Sequence, residues 1–339
     1  MGLPVREKAS LFMGQYGLYL ILIVLIVISG ILSPLFFTYQ NIANLLTQCS
    51  FIGVLAVGMT FIILMGGIDL SVGSVVGFSS ILYATILHGS IFTFMPGEIF
   101  IYTGDPTLTP ILPIPFDIIF VLSTGIIIGL INGSLSFIFR IHSFIITLGM
   151  MIFIRGLGIC YTHGQPLFGV PDFVSFIAYG QKAYIPMPTI IWACVSFFSF
   201  IFLKYTRFGR RIYAVGGDEE AARLSGIQTG MYRIFPYIIS SFLAALVGIM
   251  MTGRMGCGDP KIAQGWELDA IAAVVIGGTS LSGGKGSIGG TVVGIIIMGL
   301  ITNIMNLLEI EAYPQQMAKG IIIIIALAMW NLLFGRKYR

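Results

Sequence analysis

Long apolar runs, separated by short polar or glycine-rich intervals, recur from one end of the chain to the other. The runs are almost free of charge and reach the roughly 18 residues that a helix needs to cross a ~30 Å hydrocarbon core. Strand-type alternation over short segments is absent, which argues against a membrane β-barrel. Helices satisfy their own backbone groups where lipid offers no hydrogen-bond partner. The pattern therefore predicts an all-α membrane protein with about ten transmembrane helices. They fall near residues 16–33, 49–65, 70–88, 116–139, 144–162, 187–203, 234–252, 268–282, 287–308 and 317–334. The first run follows Arg6 and Lys8, as in a signal peptide, but no small-residue cleavage site ends it. It is read as a retained span.

Composition agrees. The 339 residues are 57% hydrophobic and 9% charged, against about 25% charged in a soluble domain. The distribution of charge then orients the spans. With the N-terminus inside, the inner segments carry Arg6, Lys8, Arg140, Lys204, Arg207, Arg210, Arg211, Arg223, Arg233, Lys285, Arg336, Lys337 and Arg339. Only Lys182, Arg254, Lys261 and Lys319 fall outside, with Arg155 inside a span. This bias predicts that the N- and C-termini are both cytoplasmic. The outer segments hold Glu98, Asp105, Asp117, Asp172, Asp259, Glu267, Glu309 and Glu311. They read either as solvated loops or as a docking face for a soluble partner of complementary charge. No basic cluster interleaved with aromatics points to a nucleic acid. Cys49, Cys160, Cys194 and Cys257 have no CxxC spacing and the three histidines form no ligand pair, so both sets read as packed residues and no metal site is expected.

Two segments share the frame G-G-x-x-L-S-x-G: Gly66–Gly73, which contains Asp69 and Ser71, and Gly277–Gly284. Each ends one apolar run and begins the next, six spans apart, so both face the same side. Broken helices in corresponding halves mark transport sites in many carriers; chance turns in a chain with 43 glycines are the alternative. Leu281-Ser282-Gly283-Gly284-Lys285 mimics an ATPase signature, and Gly284–Gly289 mimics a dinucleotide loop. No phosphate-binding loop or βαβ context accompanies either one. The chain is thus expected to have no catalytic residues, no ATPase activity and no cofactor of its own. The basic loop at about 204–233 contains a short predicted helix near 219–225. Asp218 is its N-cap, Glu219 and Glu220 lie at the positive end of the dipole, Ala221 and Ala222 continue it, and Gly226 stands at C′. A helix this short needs a surface to lie on, so it is either a partner-docking element or a plain surface helix.

These residues resemble a family. Glu220-Ala221-Ala222-x-x-x-Gly226 is similar to the E-A-A-x-x-x-G motif of ABC-importer permeases, whose short cytoplasmic helix docks in a groove of the ATPase. Val57–Leu64 running into Gly67–Gly73, Phe144–Gly149, Thr206–Gly209 and Glu267–Ala272 extend the likeness. Over roughly residues 40–335 the chain resembles ribose/galactose/xylose-type monosaccharide permeases; residues 89–115 look longer and more proline-rich than that family. The resemblance implies a single permease domain over 1–339 in a bacterial cell (inner) membrane. It also implies a second permease copy or paralogue, an extracytoplasmic sugar-binding protein, and a cytoplasmic ABC ATPase that holds ATP and Mg. Nucleosides are an alternative solute, and an ion-coupled secondary transporter is the rival class.

A sugar path needs hydroxyls and amides that bind weakly enough to release the solute. Asn132, Thr147, Ser240, Asn303 and Asn306 are the candidates, with interhelical hydrogen bonding as the other reading of each. Arg155, mid-span, is expected to face the bundle interior and find a partner. Asp69, beside Ser71, either caps the third span or serves a gate. Glu267 and Asp269 are candidates for docking the binding protein.

Overall fold

The computed structural model describes residues 5–87, 114–168, 170, 172–182 and 184–334. The helices, in chain order, are α1 (Val5–Leu32), α2 (Tyr39–Leu64), α3 (Val72–Leu87), α4 (Ile114–Phe139), α5 (Ser143–Thr162), α6 (Asp172–Tyr179), α7 (Met187–Tyr205), α8 (Arg207–Gly217), α9 (Glu219–Leu224), α10 (Thr229–Met255), α11 (Trp266–Ile276), α12 (Ile288–Leu307) and α13 (Ala312–Phe334). Two small antiparallel pairs complete the described residues: β1 (Leu167–Phe168) with β4 (Cys257–Gly258), and β2 (Gln181–Lys182) with β3 (Ile185–Pro186). No closed sheet is found among them.

Each predicted span contains a helix, but not every helix is as long as a span. Among the described residues, six have the length and apolarity to cross a membrane: α2, α4, α5, α7, α10 and α12. Val72–Leu87 and the Gly17–Leu32 part of α1 are apolar but shorter. The clearest departure is the predicted span at 268–282. Its helix, α11, has 11 residues and is only about 16 Å long, half the hydrocarbon thickness. Helix α11 stops at Gly277-Gly278, where Gly278 takes φ +87°, and the polar, glycine-rich stretch Thr279–Lys285 follows.

Helices α2, α3 and α10 form the centre of the bundle. Almost every α2 residue from Cys49 to Leu64 is buried, and α10 is buried from Leu243 to Gly253 except for Leu246. Both helices are apolar on all sides, as a helix surrounded by protein must be. Helix α4 approaches α10 along Gly125, Gly129 and Gly133, where a Cβ would overlap the backbone of Ser241, Tyr237 and Ile234. Small residues every fourth position let two membrane helices pack backbone to backbone. Helices α4, α5 and α7 turn large apolar side chains outward, among them Ile119, Phe153 and Phe198.

Two connections contain more structure than the apolar pattern reveals. The outer segment after α5 holds α6, whose buried Val174 and Ala178 pack on the C-terminal part of α10. The basic loop holds α8 as well as α9. The predicted elaboration at 89–115 falls almost entirely outside the described residues, as do Glu98, Asp105 and the C-terminal Arg336, Lys337 and Arg339.

Candidate functional site

At the basic end of the bundle, Thr206 N-caps α8 by accepting the Gly209 N–H at 3.0 Å. Ile212 and Val215 then bury the inner face of α8, and Arg211 donates to the Tyr232 hydroxyl at 2.7 Å. Asp218 ends α8 and caps α9, accepting the Ala221 N–H at 2.9 Å. The helix ends as its sequence suggests, with Gly226 at φ +82° and the Ile227 N–H returning to the Ala222 carbonyl at 3.1 Å. Ala222 faces inward, and Glu219 pairs with Arg233 of α10 at 3.0 Å. The opposite face of α9 is open to solvent. Glu220 and Arg223 pair there at 2.5 Å, and the guanidinium holds the Glu220 carboxyl below its ordinary range. The pair is therefore intact at neutral pH and is lost only as pH falls through that lowered value. An exposed pair of this kind contributes little stability. Beside it Leu224 is 79% exposed, an apolar side chain offered to solvent on an otherwise polar helix. The sequence pattern did not single it out.

The first glycine-rich break, between α2 and α3, is fixed by a polar network. Ile68 N–H donates to Ser143 Oγ at 3.1 Å and Leu70 N–H to Thr147 Oγ1 at 3.1 Å. The Thr147 hydroxyl donates to the Ile68 carbonyl, also at 3.1 Å. Asp69, fully buried, accepts the Ser71 N–H at 2.8 Å and the Ser71 hydroxyl at 2.6 Å through one oxygen. This is an Asx turn leading into α3. Asn132 of α4 donates to Ser71 Oγ at 2.9 Å. Unwound backbone at membrane depth needs such partners, and α4 and α5 supply them. The second Asp69 oxygen and Asn132 Oδ1 have no partner among the described residues. A small cleft adjoins the network, lined by Gly66, Gly67, Ser136, His142, Ser143, Arg233 and Tyr237. Ser143 and Tyr237 belong to this site although no motif marked them. The second break runs from Gly277 to Ser287 and meets the first: Gly284 N–H donates to the Leu64 carbonyl at 2.8 Å.

The structure thus gathers Asp69, Ser71, Asn132 and Thr147, and leaves the other path candidates apart. Ser240 lies where α10 crosses Gly58 of α2. Asn303 exchanges amide hydrogen bonds with Asn41 at 2.8 and 3.1 Å, joining α12 to α2. Asn306 accepts from Gln315 at 2.8 Å at the exposed end of α12.

Toward the opposite end, Arg155 donates from Nη1 to the carbonyls of Pro260 at 2.6 Å and Ile262 at 2.9 Å, and Glu267 and Asp259 act on it through charge. Its hydrogen-bond partner is backbone and not a carboxylate. Glu267 is only 9% exposed, and Asp269 pairs at 3.0 Å with Lys319 of α13. Both carboxylates therefore turn inward rather than onto an open docking surface, because the first turn of α11 packs against its neighbours. Asp269 borders a second small cleft with Gln48, Cys49, Thr302 and Lys319.

Apolar helices crossing in a tight bundle, two broken helices meeting inside it and a capped surface helix lying over the breaks define a multi-span membrane permease. The chain belongs to the family described as branched-chain amino acid transport system / permease component, which it matches over residues 41–328. It is 38% identical over 330 residues to the ribose import permease protein of Haemophilus influenzae, covering 96% of each chain. It is 39% identical over 319 residues to the ribose import permease protein of Bacillus subtilis, covering 94% of this chain and 92% of that one. With the D-allose transport system permease protein of Escherichia coli it shares 35% identity over 345 residues, covering 98% and 99%. No solved structure matches it. The chain is a permease component and not an enzyme, and the likeness to sugar permeases read from its motifs holds over nearly its full length.

Proposed function

We propose that this chain forms the translocation path of an ATP-driven, binding-protein-dependent importer of a monosaccharide in a bacterial cytoplasmic membrane. The observation that carries the reading is near full-length identity of 35–39% to permeases named for ribose and allose. The chain acts as one permease domain, with ten spans, counting the half-length α11, and both termini cytoplasmic; the charge bias of its loops supports this orientation. The exposed face of α9, with Glu220, Arg223 and Leu224, docks a separate ATPase that holds ATP and Mg. A second copy or a paralogue completes the path. The sugar-binding protein meets the opposite face, where Glu309 and Glu311 are exposed, and Glu267 and Asp269 act from beneath that face.

The network of Asp69, Ser71, Asn132 and Thr147 holds the first break in shape, and the cleft beside it lies under α9 through Arg233. ATPase closure pushes the docked helix as a rigid body, and alternate packings of the breaks open the path to one side or the other. Polar groups along the path bind a polyhydroxylated solute weakly enough to release it. The test is reconstitution in liposomes with the ATPase and binding protein encoded beside this chain, using labelled ribose, allose, galactose and a nucleoside. Uptake that requires ATP and the binding protein, and that follows one of the sugars, is expected. Preference for the nucleoside would move the solute class, and uptake driven by an ion gradient without the ATPase would overturn the reading.

A further inference from the structure

Helix α9 carries the docking features, but α8 makes the deeper contacts. The last turn of α8 lies where the two breaks meet. A Cβ on Gly216 would overlap the Leu64 carbonyl oxygen at the end of α2. A Cβ on Gly283 would overlap the Gly216 carbonyl oxygen, and one on Gly284 would overlap the Gly217 Cα. Three backbones are thus in direct contact: the end of α2, the end of α8 and the connection from α11 to α12. The Gly284 N–H to Leu64 carbonyl bond at 2.8 Å ties the first and third together. The Tyr213 hydroxyl ties the second to the third, donating to the Gly286 carbonyl at 2.9 Å. Burial pushes the Tyr213 phenol up, so this donor keeps its proton throughout the physiological range. By contrast α9 reaches the bundle mainly through Ala222 and the half-exposed Glu219–Arg233 pair.

We propose that this three-backbone junction is the transmission point of the permease. Displacement of the docking loop reaches both broken helices together through the end of α8, with Gly216 and Tyr213 as the positioning residues. The inference rests on the importer reading above and adds where the force enters the bundle. Side chains at such a junction would bend under load, whereas backbones in direct contact transmit displacement through a packed interior of low compressibility.

The test uses the full complex in proteoliposomes and reads the amount of solute imported per ATP hydrolysed. Tyr213→Phe removes one hydrogen bond and leaves shape and docking face unchanged. Uptake is expected to fall roughly fivefold, the shift that about one hydrogen bond supports, while the ATPase copurifies and hydrolyses ATP as in the wild type. Gly216→Ala forces a methyl group into the Leu64 carbonyl and is expected to lower uptake per ATP further, again with the ATPase retained. A wild-type ratio in both variants would overturn the proposal, as would loss of the ATPase in both, which would make the junction part of the docking face. Failure of ATP-driven uptake in the wild-type complex would instead sink the importer reading.

Discussion

A guanidinium placed inside an apolar bundle has to find acceptors there or reach for water. Arg155 finds them in the bend after α10, at the carbonyls of Pro260 and Ile262, with Glu267 close enough to act on its charge. Its place in a span was enough to predict an interior position and a partner, because an unpaired charge in the membrane costs about 2.5–3.5 kcal/mol or more. The nature of the partner was not legible, since backbone carbonyls carry no residue signature. Arg155→Leu should leave two carbonyls and a buried carboxylate uncompensated, at about 1–3 kcal/mol for each unsatisfied group. The expected result is a lower thermal unfolding midpoint in detergent and reduced uptake. Adding Glu267→Gln should restore part of the midpoint if the stranded carboxylate is what destabilises the single variant. A wild-type midpoint in Arg155→Leu would mean that the charge snorkels and these contacts are incidental. The same limit applies to Asp69: its position at the break before the third span suggested a cap, whereas the support around it from Asn132 and Thr147 comes from residues 63 and 78 positions away and needs the fold.

At the scale of elements, local chemistry marked α9 at both ends, whereas the apolar pattern located α11 but not its early end. A capping aspartate, two acids in the first turn and a C′ glycine are all local signals, and α9 follows them. The predicted span at 268–282 extends past the apolar stretch Ala270–Ile276 into Gly277–Ser282, so a span of ordinary length merges a half-length helix with the break after it. Gly277-Gly278 was visible as a motif yet carries no weight on a hydropathy scale. Helices α6 and α8 were missed for another reason: α6 is apolar but only eight residues long, and α8 is broken up by Arg207, Arg210 and Arg211, so neither reads as a span. For α9 the sequence and the structure together make a sharp prediction. Gly226 stands at φ +82° with nothing within 4 Å of where a Cβ would lie. Gly226→Val therefore meets no steric obstacle, and its cost is conformational, about 1–2 kcal/mol. Glu220→Arg would face Arg223 one turn on, turning an attraction into a repulsion. Both variants should insert and assemble at wild-type levels but lose the ATPase on purification, and ATP-driven uptake with it. Retention of the ATPase and of full uptake in both would remove α9 from the docking face.

For the whole molecule, the helical and apolar character of the chain could be read from its sequence, but the arrangement of the helices could not. A membrane helix facing lipid is as apolar as one facing protein, so composition does not tell the buried α2 and α10 from the outer α4, α5 and α7. The four-residue spacing of Gly125, Gly129 and Gly133, which the apolar pattern did not single out, marks the face of α4 against α10. Helix α10 also decides the sides of the molecule. It has 27 residues and is about 40 Å long, enough to cross a ~30 Å core. At its N-terminal end Arg233 pairs with Glu219 of α9, and at its C-terminal end Gly253 packs on Val174 of α6 and the Arg254 carbonyl accepts from Tyr179. Helices α9 and α6 therefore sit on opposite membrane faces, whichever way the protein is inserted. On the proposed orientation, the basic bias of the loop at 204–233 puts α9 on the cytoplasmic face. A reporter active only in the cytoplasm should be active when fused after Gly226 or after Arg339, and inactive when fused near Asp172. Equal activity at Gly226 and Asp172 would contradict the length of α10 itself, whereas activity at Asp172 alone would keep the fold and reverse its orientation.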